Sequence, residues 1–327
     1  MTPEADSPEA ALSPEAALSP EAALSPEAAL SPEAALSPEA APRRSFVGDA
    51  ALTELIVSER RCLMTAPLTD AVRSPGGSVS PGMILTIFDV GASHPTMITC
   101  RPDWTATQDI SLHGADPITE GPIVVDNQLV RVGKKVAIAS AAVYDGHGVD
   151  DIEKLQWLID QAGPSAAPAG LTRAGAGLIS FARLPRAAAA GMDDYDPGKW
   201  IGQVRHTGVP EPVEGSLHER LGLRLLEPRI GQFDLDLTPS VTNSIGTIFG
   251  GALAVMIEAA AEAMRPGLAA TDLQIHFLSQ VRTGPARTTG TVLRDAGDHS
   301  VVTVQVTDAG HDNQILALAT VTLRRRQ

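Results

Sequence analysis

The sequence predicts an α+β protein in which an antiparallel sheet packs on one long apolar helix, and this unit occurs twice in the chain. Three observations carry the prediction. A shift of 163 residues lays Asp109-Ile-Ser-Leu-His113 on Asp272-Leu-Gln-Ile-His276, Gly121-Pro122 on Gly284-Pro285, Arg131 on Arg294 and Asp145 on Asp308. Upstream the shift becomes 169, which sets Gly82 on Gly251 and Asp89 on Glu258, so one small gap aligns both segments. Within them, apolar and polar residues alternate as in half-buried strands: Val302, Val304 and Val306 interleave with Val301, Thr303, Gln305 and Thr307. The order is helix then strands, the signature of a helix laid on an antiparallel sheet.

The elements follow in order. The first 42 residues are a hexapeptide array: SPEAAL runs five times from Ser7 to Leu36, and Ser37 to Pro42 is an edited sixth copy. Each unit opens as a helix would, with Ser as N-cap and Pro in the first turn, and the next Pro stops it within two turns. Segment 1–42 therefore reads as a disordered low-complexity tail. It holds eight of the 39 acids and none of the 25 bases, leaving 31 acids against 25 bases in the rest. Segment 43–162 reads as a first domain, with a helix at 81–93, strands at 105–113, 122–132 and 135–145, and a short amphipathic helix over 150–162. Segment 163–215, rich in Ala, Gly and Pro, reads as a linker, with Phe181, Tyr195 and Trp200 able to pack down. Segment 216–327 reads as a second domain, with a helix at 249–264 and strands at 270–278, 285–295, 299–308 and 314–325.

Composition narrows the partners. The chain is 327 residues, 43% apolar and 20% charged, enough for a sizeable core. A net charge of −14 repels phosphate backbones and anionic membranes, and 3% aromatics gives little for bases to stack on. Neither nucleic acid nor membrane is an expected partner. The longest apolar stretch, Ile248 to Met264, is too short and, with Glu258 and Glu262, too acidic to span a bilayer. Cys62 and Cys100 are the only cysteines, and no basic and apolar leader opens the chain, so a cytoplasmic location with reduced thiols is expected. Eight His without HxH or HExxH spacing suggest no metal site, and no cofactor is expected.

The chemistry-bearing feature is a carboxylate inside an apolar helix. Glu258 lies in mid-helix within Ile248 to Met264, and Asp89 sits likewise after Met83-Ile-Leu-Thr-Ile-Phe. A buried carboxylate is costly unless paired, and its pKa moves toward neutrality, which suits a general base or nucleophile. The plainer alternative is that each acid points into water at the sheet's mouth. Ahead of each helix lies a Gly-rich turn, Asn243 to Gly251 and Ser74 to Gly82. Glycines at a helix start leave backbone N–H groups facing a ligand, and they are also common as plain helix entries.

The motif Asn243-x-x-Gly246-x-x-Phe249-Gly250-Gly251, with an acid seven residues after the second Gly, resembles the PaaI-type acyl-CoA thioesterases of the hotdog fold, in the 4-hydroxybenzoyl-CoA thioesterase superfamily. The resemblance covers about 80–145 and 221–325. It implies a double hotdog: two domains paired as a pseudo-dimer, with active sites formed between them. It also implies hydrolysis of acyl-CoA to free acid and CoA, with a higher homo-oligomer of the pseudo-dimer compatible. In the family, Asn and the helix-start Gly come from one hotdog, the acid and a strand hydroxyl from the other. Carried over, one site takes Asn243 and Gly250 with Asp89 and Thr107, and every role is filled. The other takes Ser74 and Pro81 with Glu258 and Ala270. There Pro81 has no N–H, Ser74 replaces the amide and Ala270 lacks a hydroxyl, so this site reads as degenerate. Phe249 stands where the family usually has His.

Two rival readings remain. In one, both sites have decayed and the protein binds acyl-CoA without turnover. In the other, the protein is an acyl dehydratase or hydratase, which needs a His paired with the acid. No His lies in either helix-entry turn, and His94 follows Asp89 by five residues.

Overall fold

A computed structural model describes residues 45–162, 168–185, 195–207, 214–243 and 246–325. The tail at 1–42 lies outside the described residues.

The strands are β1 (Leu52–Ser58), β2 (Arg61–Ala66), β3 (Trp104–Gly114), β4 (Ile123–Val132), β5 (Val136–Asp145), β6 (Thr172–Leu184), β7 (Val204–Thr207), β8 (Arg224–Glu227), β9 (Gln232–Leu235), β10 (Leu268–Phe277), β11 (Ala286–Asp295), β12 (His299–Asp308) and β13 (Gln314–Arg325). The helices are α1 (Pro81–Cys100), α2 (Ile152–Ala162), α3 (Leu217–Leu221) and α4 (Gly250–Met264). All strands join one sheet in the order β7-β1-β2-β4-β5-β6-β3-β10-β13-β12-β11-β9-β8. Read outward from the β3–β10 junction, the two sides mirror each other, and β7 alone is extra.

The junction explains why the repeat was visible. Asp272 pairs with His113 and His276 with Asp109, so the two ends of the pairing exchange under the 163-residue shift. Ser111 pairs with Gln274, its own repeat mate, and therefore marks the pseudo-twofold axis. Both histidines sit on exposed positions there.

The helices α1 and α4 pack side by side beneath the sheet, and the core lies between them and its inner face. Their approach is close because both carry glycine at the crossing. A Cβ on Gly82 would lie 2.6 Å from the Val255 backbone nitrogen, and one on Gly251 would lie 2.1 Å from Thr86 Oγ1. Thr86 and Val255 are also repeat mates, so this contact obeys the same twofold.

The repeat extends to the turns. Asp145 accepts backbone N–H groups from Thr119, Glu120 and Gly121; Asp308 accepts them from Arg282, Thr283 and Gly284. Burial pushes both carboxyls up, and these donors outweigh it, leaving both below the ordinary value.

The stretch 163–215 is not simply a linker. It supplies β6, thirteen residues paired with β3 on one side and β5 on the other, and the edge strand β7 beside β1. Composition hid β6. Its Ala and Gly residues read as flexible chain, yet Gly177 is small because the Phe88 ring packs on it, with a built Cβ only 2.7 Å from Phe88 Cε1. The first helix also runs past the expected 93, carrying Pro95 inside it to end at Cys100. The amphipathic helix α2 closes a separate small core with Leu55, Leu63 and Tyr144 on the outer face of the first half. No helix of the described residues is long and apolar enough to cross a membrane.

Candidate active site

Asp89 lies on the ninth position of α1, and Gly250 is the first residue of α4. Antiparallel packing of the two helices brings them together: a Cβ built on Gly250 would lie 3.6 Å from Asp89 Oδ2 and 3.2 Å from Phe277 Cζ. As the first helical residue, Gly250 has an N–H with no acceptor inside its own helix, and the positive end of the helix dipole lies behind it. Thr107, at the start of β3, donates its hydroxyl to Asp89 Oδ1 at 2.7 Å. Asn243 accepts the Thr247 N–H at Oδ1 (3.2 Å) and donates its own N–H to the Thr247 carbonyl, closing the turn that leads into α4. Asp89, Thr107, Asn243 and Gly250 all line one cavity of about 490 Å³. The four residues singled out in the sequence therefore converge, two from each half of the chain.

Burial raises the Asp89 carboxyl to about 6, and the Thr107 hydrogen bond pulls partly the other way. The apolar part of the cavity wall includes Val90, Met97, Trp104, Phe181, Leu253 and Phe277. Phe249, at the usual His position, also lines it; its N–H is tied to the Val241 carbonyl at 2.8 Å and its side chain caps nothing.

The second set of residues is arranged differently. Glu258 occupies the ninth position of α4, as Asp89 does in α1, and is 1% exposed. Its Oε2 accepts the Ser80 hydroxyl and, at 2.9 Å, the Gly82 N–H. The carboxylate thus fills the start of α1, where a substrate oxygen would have to sit. Pro81 heads that helix and offers no N–H. Ser74 is turned to Ser78, at 3.3 Å between hydroxyls, and the Ala270 N–H is taken by Glu262 Oε1 at 3.0 Å.

Sequence reasoning missed a further set. His94 and Tyr195 line the Asp89 cavity, with 3.0 Å between His94 Nε2 and the Tyr195 hydroxyl. Behind them Glu54 touches His94 Nδ1, and its other oxygen is 3.1 Å from Arg205 Nη1. No local spacing links positions 54, 94, 195 and 205, and Tyr195 belonged to the supposed linker. Glu54, Cys62 and His94 also bring three metal-type donors together in the interior. The imidazole touches the carboxylate directly, and the Arg205 cation stands beside it.

Residues 238–324 match the family model described as the acyl-CoA thioesterase N-terminal domain. That stretch holds the Asn243 turn, α4 and β10 to β13. No curated protein matches the chain. Among solved structures it resembles the TesB protein of Mycobacterium avium subspecies paratuberculosis, with TM-score 0.51 and 11% identity over 84% of this chain and 96% of that one. It resembles a putative thioesterase II of Thermobifida fusca with TM-score 0.50 and 12% identity over 88% and 99%. A conserved hot dog fold protein of unknown function from Alicyclobacillus acidocaldarius gives TM-score 0.51 and 10% identity over 86% and 98%. At these identities the likeness is one of fold, and near-complete coverage on both sides extends it to both halves. The chain is a double hotdog: α1 and α4 are the two central helices, and the Asp89 cavity lies at the seam of the hotdogs.

Proposed function

We propose that this double hotdog hydrolyses acyl-CoA thioesters to free acid and CoA at a single working site, built from Asp89 and Thr107 of one hotdog and Asn243 and Gly250 of the other. The observation that carries this reading is the raised Asp89 carboxyl, to about 6, held beside the open N-terminus of α4. At neutral pH the group is mostly ionised yet basic enough to take a proton from water. The thioester carbonyl accepts the Gly250 N–H, and the helix terminus stabilises the negative charge that develops on that oxygen. Thr107 fixes the Asp89 carboxylate through Oδ1, which leaves Oδ2, on the Gly250 side, to activate the water. Asn243, anchored by Thr247, holds the substrate in line. The thiolate of CoA leaves as the tetrahedral intermediate collapses. Direct attack by Asp89 is a variant of the same geometry.

We read the site as PaaI-type on the strength of the Asn-to-Gly-Gly motif, with Phe249 as its departure. A backbone oxyanion donor makes that departure tolerable, since Phe249 keeps its place as N-cap of α4. The Glu258 site we read as silent, because its carboxylate already occupies the start of α1. On this reading the two domains run over 43–162 and 216–327, β6 belongs with the first, and residues 1–42 take no part in catalysis. A cytoplasmic location, with Cys62 and Cys100 free of disulfides, fits this reading.

Incubation of the full chain with a panel of acyl-CoAs and a thiol reagent tests the proposal. Release of free CoA supports it. Tight binding of acyl-CoA without release of thiol favours a non-catalytic acyl-CoA-binding protein. Hydration of an enoyl-CoA without thiol release favours a hydratase, the one rival for which His94 in the cavity speaks.

A further inference from the structure

The register of the sheet gathers polar side chains in the core of the first hotdog. Glu54 of β1 pairs with Met64 of β2, and Cys62 of β2 pairs with Asn127 of β4. Opposed residues in a ladder share a face, and Cys62 and Met64 are two apart on one strand, so Glu54, Cys62 and Asn127 all point to the inner face. Helix α1 presses on that face: a Cβ on Gly91 would lie 2.3 Å from Asn127 Nδ2 and 2.6 Å from Met64 Cγ. His94, three residues further on, is on the same side of the helix and completes the group. None of Glu54, Cys62, His94 and Asn127 is more than 7% exposed.

Hydrogen bonds do not exhaust this cluster. Asn127 Nδ2 donates to the Cys62 and Val125 carbonyls at 3.0 and 3.2 Å, which fixes which end of its amide is oxygen. Among the described residues, that oxygen is buried with no hydrogen-bond partner. So is His94 Nδ1, whose contact with Glu54 Oε1 lacks the direction of a hydrogen bond. Buried polar atoms of native proteins are seldom left so. One donor atom each of Glu54, Cys62 and His94 lie within 4.8 Å of one another. The Cys62 thiol points at Glu54 Oε1 from 3.8 Å. Sulfur and oxygen ligands of one tetrahedral zinc ion stand about 3.5 Å apart, from their bond lengths to the metal. The other Glu54 oxygen is held by Arg205 at 3.1 Å, and His94 Nε2 reaches the Tyr195 hydroxyl at 3.0 Å. Outer contacts of this kind orient ligating carboxylates and imidazoles.

We propose that Glu54, Cys62 and His94 bind one Zn²⁺ ion in the core of the first hotdog, with the Asn127 oxygen as a fourth donor, directly or through a water. A thiolate, an imidazole and a carboxylate together make a zinc donor set. On binding, Cys62 gives up its proton to solvent, and the two anionic ligands balance the charge of the ion. Neither Glu54 nor Cys62 lines the Asp89 cavity, so the ion is structural. It ties β1 and β2 to α1 and steadies His94 and Tyr195 in the cavity wall. Hydrolysis at Asp89 does not depend on it. Sequence spacing hides such a site because its ligands come from three separate elements.

The test strips the full chain with a chelator, reloads it with Zn²⁺ and desalts it. The expected result is about one zinc per chain by elemental analysis and a melting temperature above that of the stripped protein. With Co²⁺ in place of zinc, the protein should show the charge-transfer absorption of a thiolate bound to cobalt. Cys62→Ala and His94→Gln should each lose the bound zinc and the gain in melting temperature. Cys100→Ala, which removes the other thiol, should keep both. Stoichiometry and the cobalt band are read on the wild-type chain, so they decide the matter even where a variant fails to fold. A wild-type chain that retains no zinc, or that binds cobalt without the thiolate band, overturns the proposal. So does a folded Cys62→Ala protein that keeps the zinc. Thioester hydrolysis can persist in each of these outcomes, which separates this proposal from the hydrolytic one.

Discussion

Asp89 and Gly250 come from different halves of the chain and meet at the seam, where a Cβ on the glycine would stand 3.6 Å from the carboxylate oxygen. A carboxylate and a helix-start N–H lie beside one another there, one from each half of the chain. Glu258 and Pro81 are their repeat mates and show the opposite outcome: Pro81 has no N–H, and the Glu258 carboxylate takes that of the next residue, Gly82, at 2.9 Å.

The ionisation of Asp89 predicts a pH profile. With its carboxyl at about 6, kcat/KM should rise through that pH and level above it, because only the ionised form accepts a proton. Stability runs the other way. A free Asp ionises near ~4, so between about 4 and 6 the folded state binds more protons than the unfolded chain, and Asp89 costs stability as pH rises through this window. Thermal melts of Asp89→Asn should therefore exceed wild type at neutral pH, with the gap closing toward pH ~4.

Thr107→Val removes the hydrogen bond that holds the Asp89 carboxyl down. The midpoint of the pH–rate profile should move to higher pH, and kcat at low pH should fall further than kcat at high pH. An unchanged midpoint would mean that Thr107 does not sense the charge on Asp89.

Close contact of the helices predicts that Gly82→Ala and Gly251→Ala both destabilise, by about 1–3 kcal/mol. The first drives a methyl group into the Val255 backbone, which cannot rotate away, so it should cost more than the second, where the Thr86 side chain can turn. Denaturant unfolding of the two variants measures the order.

Asp145→Ala and Asp308→Ala each leave at least three backbone donors of a partly buried turn without their acceptor. Each should cost about 1–3 kcal/mol or more at neutral pH. Because these carboxyls sit below their ordinary value, their contribution is present above pH ~4 and disappears as acid protonates the folded protein. Equal losses at the two positions would show that the repeat is energetic as well as geometric.

Much of this fold was legible because duplication doubles the signal. Asp109 to His113 and Asp272 to His276 matched residue by residue, and they turned out to be the strands that meet at the pseudo-twofold axis. Strand β6 was not legible, since its small residues answer to the Phe88 ring in another element, a demand that composition alone disguises. The hairpins β1–β2 and β8–β9 escaped although their partners are neighbours in sequence: β8 and β9 are four residues each, too short to show alternation, and β1 and β2 are buried along most of their length and so do not alternate. Asp89, Thr107, Asn243 and Gly250 were singled out through the helix-entry motif and the family resemblance, and the fold brings them to one cavity. His94, Tyr195 and Glu54 were not, because only tertiary packing brings positions 94, 195 and 54 together.

The central claim is that thioester hydrolysis runs at the Asp89–Gly250 seam and not at its repeat mate. The most direct test measures kcat for Asp89→Asn and Glu258→Gln side by side on one acyl-CoA substrate, with the melting temperature of each as control. The account predicts a fall of roughly 10²-fold or more for Asp89→Asn in a folded protein, and near wild-type turnover for Glu258→Gln. Hydrolysis retained by Asp89→Asn, or lost in a folded Glu258→Gln, would contradict it.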